Sequence, residues 1–152
     1  MSEELEKIIK EKISADHLLY VSMKYTKTCD VMINLLKRWK IMIDYAFDAL
    51  LEKAKKKKLI KSIPDAPRLK LDVITSAFKN SHEVMEALEI YEMFKLIDIL
   101  TKTKEGEFRK GVCLRVTYKM REIAINLEKL KEYSEILERF INYTKLFILS
   151  KN

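Results

Sequence analysis

Apolar positions recur along this chain at steps of three and four, the spacing that stacks side chains on one face of an α-helix. The first such face is Leu5, Ile8, Ile9 and Ile13. It is entered through Ser2, Glu3 and Glu4, a capping hydroxyl followed by carboxylates on the positive end of the helix dipole. Ser14 and Asp16 are positions where this helix is expected to be interrupted or capped again. From Leu18 a longer stripe follows: Val21, Tyr25, Cys29, Met32, Leu36, Trp39, Ile43, Ala46, Leu50 and Ala54, ten steps over 36 residues. The mean step is that of a straight α-helix. It predicts one helix over residues 15–58, about 60 Å long at about 1.5 Å per residue. The alternative is a break at Thr26-Lys27-Thr28, with Thr28 or Asp30 capping a second helix.

Lys55 to Lys58 place cations on the negative end of that helix, and Pro64 and Pro67 forbid its continuation. Asp65 is the expected cap of a short helix carrying Leu69, Val73, Ile74, Ala77 and Phe78. Asn80 and Glu83 stand at capping-box spacing before another, with Val84, Ala87, Leu88, Tyr91, Phe94, Ile97 and Leu100 on its inner face. A last stripe runs through Phe108, Val112, Val116, Met120, Ile123, Leu127, Leu130, Ser134, Leu137, Ile141, Thr144 and Ile148, and predicts a helix over residues 107–149. Gly111 falls inside its first turns at a cost of about 1 kcal/mol. The expected fold is therefore all-α: a single helical domain over residues 1–152, a bundle of two long helices (15–58 and 107–149) with a shorter helical pair between them.

Composition agrees. Two Gly and two Pro are too few for the turns of a β-rich fold. No apolar run approaches the roughly 20 residues of a membrane span, and the acidic start lacks the form of a signal peptide. No membrane partner and a cytoplasmic location are expected. The chain has no Gln and is crowded with Lys, Glu and Ile, the usage expected of a thermophilic, archaeal protein and also given by AT-rich coding. In that setting Cys29 and Cys113 read as reduced, buried thiols, although a disulfide is tolerated in hyperthermophiles.

Charge is uneven. Residues 1–62 carry +5, residues 63–105 carry −2 and residues 106–152 carry +4, within a net +7. The densest feature is Lys53, Lys55, Lys56, Lys57, Lys58 and Lys61, a candidate contact for phosphate, nucleic acid or an acidic protein partner, or else a solvated helix end. No aromatic residue interleaves it, so it is no base-stacking platform. A candidate polar site comprises Asp16, His17, Asp44 and Asp48. Asp44 and Asp48, four apart, share a helix face and suit a cation or the orientation of a base; the ordinary alternative is pairing with Lys40 and Lys53. Neither His17 nor His82 belongs to an ExxH pair, no zinc-ligand spacing occurs, and two Gly make no phosphate loop. No catalytic residue, metal or cofactor is expected.

The ordering of two major helices around a shorter pair, and the run Asp44-Tyr45-Ala46-Phe47-Asp48-Ala49-Leu50-Leu51, resemble HEPN domains. The resemblance covers about the first 60 residues and implies a helical bundle in a nucleic-acid-associated setting. The Arg of the family's ribonuclease motif, four to six residues before a His, is missing: no Arg precedes His17, and Arg38 is far from His82. Function is expected to be that of a non-catalytic protein–protein interaction module, a homodimer. The alternative is a HEPN-like protein touching phosphate with its basic helix end.

Overall fold

A computed structural model describes residues 2–152. Helix α1 (Glu3–His17) starts where Ser2 Oγ accepts from the Leu5 N–H at 3.2 Å. It does not stop at Ser14 or Asp16. It continues through a wider π-helical turn, Leu18–Ser22, and a last turn, Met23–Tyr25. The chain then leaves the helix, and Thr28 Oγ1 accepts from the Val31 N–H at 3.3 Å to open α2 (Cys29–Lys56).

The single helix expected over residues 15–58 is thus two, split at the Thr26–Thr28 break that the sequence offered as its alternative. The two helices form an antiparallel hairpin, with Arg38 on Glu11 at 3.1 Å and the Lys7 ammonium 5.9 Å from the centre of the Tyr45 ring. Helical phase carries across the break because both sides pack on the same core. The phase breaks down at the corner itself: Val21 and Tyr25, on the predicted core stripe, are 40% and 78% exposed. At 28 residues α2 is about 42 Å long, against the roughly 60 Å of the single helix expected over residues 15–58.

Helix α3 (Pro67–Ala77) begins with Pro67 at its first position, where the missing N–H has no intrahelical partner to lose. Its cap residue is Ala66, not Asp65. Helix α4 (His82–Lys95) is capped by Ser81, whose hydroxyl accepts from the Val84 N–H at 3.3 Å, rather than by Asn80.

The largest correction lies in residues 102–125, which form a three-stranded antiparallel sheet in the order β1 (Lys102–Glu105), β2 (Cys113–Tyr118), β3 (Arg121–Ile125). Leu114 pairs with Lys104 on one side and Ile125 on the other. The predicted last helix consequently begins at Leu127 rather than residue 107. It is α5 (Leu127–Leu149), capped by Asn126 Oδ1 accepting from the Lys129 N–H at 2.8 Å. Val112, Leu114 and Val116 alternate inward, while Phe108 and Met120, counted in the helical stripe, are 75% and 99% exposed.

The core is closed by aromatic contacts between α2, α4 and α5. Trp39 stacks on Phe94 at 5.9 Å, and Tyr133 meets Phe94 edge-on at 5.2 Å. Phe47 meets both Tyr91 and Phe140 edge-on, at 5.3 and 5.6 Å. The loop from β1 to β2 is tied to the α1–α2 corner. The Phe108 N–H donates to the Lys27 carbonyl at 2.7 Å, and the Cys29 N–H to Glu107 Oε1 at 3.1 Å. Gly106 makes the loop possible: its φ is +63°, and a Cβ there would lie 2.7 Å from the Gly111 carbonyl oxygen. Cys29 and Cys113 are free, buried thiols, and Cys29 Sγ donates to the Cys113 carbonyl at 3.3 Å.

Candidate functional site

The lysine cluster sits on the C-terminus of α2. Lys53, Lys55 and Lys56 are its last-turn residues and Lys57 its cap. The Lys58 N–H donates to the Lys55 carbonyl at 3.0 Å and the Leu59 N–H to the Ala54 carbonyl at 2.9 Å. These are the two bonds of a Schellman ending, and they require Lys58 to be left-handed; its φ is 62°. Glycine is the usual occupant of that position because a Cβ strains it.

Among the described residues, none of Lys53, Lys55, Lys56, Lys57, Lys58 or Lys61 has a carboxylate within 4.0 Å. Partial burial, then the neighbouring Lys57 and Lys56, push the Lys53 ammonium below its ordinary range. Lys57 turns back over the Phe147 ring of α5 at 5.4 Å and donates to the Lys151 carbonyl at 2.6 Å. The C-termini of α2 and α5 therefore share one end of the bundle. Leu59, Leu69, Leu146 and Leu149 project there, 60%, 53%, 74% and 69% exposed.

The four residues of the candidate polar site are not brought together. Asp44 accepts from Tyr91 Oη at 2.6 Å and from Lys40 at 2.7 Å. Asp48 takes Lys70 at 3.4 Å rather than Lys53. Asp16 takes Lys12 at 2.8 Å, and Lys12 reaches Glu138 of α5 at 2.5 Å. Burial alone would lower the Lys12 ammonium, but its bonds to Asp16 and Glu138 outweigh that and hold it above its ordinary value. His17 lies exposed in the last turn of α1. Because α1 runs antiparallel to α2, Asp44 lies near Lys7, nine residues of helix from Asp16, or about 13 Å. Each aspartate is engaged by its own cation. Among the described residues, no three His, Cys, Asp or Glu side chains are grouped to hold a metal ion.

A second surface is the outer side of α1. Its core side carries Leu5, Ile8 and Ala15. The opposite side carries Glu3, Glu6, Lys10, Ile13 and His17, and the π-helical and last turns that prolong it add Tyr20 and Lys24, all exposed. Ile13 and Tyr20, 65% and 58% exposed, stand in the middle, with carboxylates toward the start of the helix and an ammonium toward its end.

No family model, no curated protein and no solved structure matches this chain. The run 44–51, one of the two features that resemble HEPN domains, is in the fold an inner stretch of α2, with Ala46, Phe47, Ala49, Leu50 and Leu51 buried.

The α1 surface escaped the sequence reading because Ile13 fits the same three-and-four pattern as Leu5, Ile8 and Ile9. The signal that separates it is polar: Glu3, Glu6, Lys10, His17 and Lys24 recur in phase with Ile13. No transmembrane candidate exists among the described helices.

Proposed function

We propose that this protein is a non-catalytic interaction module that self-associates through the outer face of α1. The observation that carries the reading is the exposed stripe with Ile13 and Tyr20 at its centre, acidic at its start and basic at its end. A two-fold dimer places the same patch of both copies face to face. If the two α1 helices cross antiparallel about Ile13, Glu3 of one copy stands beside Lys24 of the other and Glu6 faces Tyr20 one turn nearer the crossing, twice over by symmetry. Parallel pairing sets like charges together and is disfavoured. The apolar centre supplies burial, and the charged ends select direction.

The test is sedimentation across a concentration series. The wild-type chain is expected at twice its 18.0 kDa mass, and Ile13→Asp at that mass with unchanged helix content. A wild-type chain that stays at 18.0 kDa at every concentration contradicts the reading.

A further inference from the structure

At the opposite extreme from the α1–α2 corner, we infer that the C-terminal end of α2, with the leucines around it, is a docking surface for an anionic lipid leaflet, a peripheral contact that departs from the expectation of no membrane partner, which rested on the absence of a spanning segment.

The argument begins with direction. Lys55, Lys56, Lys57 and Lys58 are consecutive, so at about 100° per residue they point all ways around the α2 axis. A strand of nucleic acid lying across this helix end meets two or three of them. A flat anionic surface met end-on reaches all that do not fold back. Lys57 folds back onto Phe147, whose ring also stacks on Tyr143, and so covers an aromatic that would otherwise stack on a base.

The apolar groups point the same way. Leu59 lies in the first turn beyond α2, Leu69 in the first turn of α3, and Leu146 and Leu149 in the last turn of α5. Leu59 and Leu69 share a groove of about 750 Å³ with Lys61 and Asp72, and Leu149 lines a smaller one with Lys53, Lys56, Glu4 and Glu52, so the unpaired charge of this end lies on Lys55, Lys56 and Lys58 around the grooves. Leucines among unpaired lysines suit the boundary between headgroups and acyl chains, where cations meet phosphates and apolar side chains leave water. They offer nothing to a nucleobase.

Lys58 offers a handle on the surface. It holds a left-handed φ of 62° in a motif where glycine relieves the strain, so Lys58→Gly removes charge and strain together.

The experiment is co-sedimentation of the full chain with phosphatidylcholine vesicles, with and without phosphatidylserine. Binding is expected only where phosphatidylserine is present, and it should weaken with salt. Each exposed lysine near such a leaflet is worth about fivefold in affinity. Joint replacement of Lys55, Lys56 and Lys58 by Ser is therefore expected to weaken binding more than tenfold, while Arg109→Ser with Lys110→Ser, at the other end, leaves it unchanged. Leu59→Ser with Leu149→Ser should weaken vesicle binding at constant charge. Lys58→Gly keeps the test independent of folding, because it should bind vesicles less while melting at a higher temperature. Absence of vesicle binding overturns the inference. So does an oligouridylate that binds more tightly than the vesicles and is indifferent to the leucine substitutions. Monomeric behaviour in sedimentation would leave this surface untouched.

Discussion

Glu107 Oε1 accepts the backbone N–H of Cys29, 78 residues earlier in the chain, at 3.1 Å. One carboxylate thereby satisfies an orphan donor at the start of α2 and faces the positive end of its dipole. It also binds the β1–β2 loop to the corner between α1 and α2. Glu107→Ala is expected to cost about 1–2 kcal/mol, as loss of a helix cap does, and to raise hydrogen exchange at Cys29 and Phe108 together. Exchange that rises at Cys29 alone would show that the loop is held without it.

The same corner shelters a thiol. Burial, and then Glu107, push Cys29 up to about 12. Burial, then Glu132, push Tyr133 up to about 12, and Tyr91 is raised by burial and its bond to Asp44. All three stay protonated in the fold after they have ionised in the unfolded chain. Their contribution is complete below the ordinary thiol value of 9.0 and is lost as pH climbs toward 12. The melting temperature is expected to hold level up to pH 9 and to fall above it. Tyr91→Phe should soften that alkaline fall while costing about 1.5 kcal/mol at neutral pH through the lost bond to Asp44.

Trp39 lies between Phe94 and Tyr133 and is 3% exposed. Trp39→Ala should cost about 3–5 kcal/mol in denaturant unfolding. Native fluorescence that is red-shifted and freely quenched would place the indole outside this core.

Trypsin should cut in two places. The first is the Lys57–Lys61 stretch, wet and closed to helix by Pro64 and Pro67. The second is Arg109 or Lys110, in the loop that a helix over residues 107–149 would have protected. Peptide mapping that finds no early cut at Arg109 or Lys110 would speak against the sheet.

That sheet marks where sequence and fold part. The inner faces of α2 and α5 were legible because a dozen residues repeat one spacing and nearly all of them are buried. In residues 108–123 the same spacing is coincidence. Phe108, Val112, Val116, Met120 and Ile123 satisfy it, yet only Val112 and Val116 are fully buried. The truer signal was the alternation of Val112, Leu114, Val116 and Tyr118 with Cys113, Arg115, Thr117 and Lys119. It lacked its usual punctuation. A two-residue hairpin turn with both φ positive favours Asn-Gly, and here Lys119 and Met120 take those angles, at 50° and 63°. Replacing them with Asn-Gly is expected to stabilise the chain by roughly 1–2 kcal/mol, since each removes left-handed strain.

The candidate aspartates were legible as a pair and illegible as a site. Asp44 and Asp48 share a face of α2, as their spacing requires, and Lys40, four residues before Asp44, pairs with it as that spacing offered, but Tyr91 and Lys70 arrive from neighbouring elements that no local pattern reveals. The lysine cluster was legible as charge. That Lys58 is strained, and that leucines from α3 and α5 gather at the same end, depended on the tertiary arrangement.

Self-association through α1 is tested most directly by sedimentation of two charge-reversed chains, alone and mixed. One carries Lys24→Glu, the other Glu3→Lys with Glu6→Lys. Each alone sets like charges across the antiparallel pair and is expected to sediment as a monomer of about 18.0 kDa. Mixed in equal amounts, each supplies the charge the other lacks, and dimer mass is expected to return. Dimers from either chain alone, or a mixture that stays monomeric beside a dimeric wild type, would contradict antiparallel pairing through Ile13 and Tyr20.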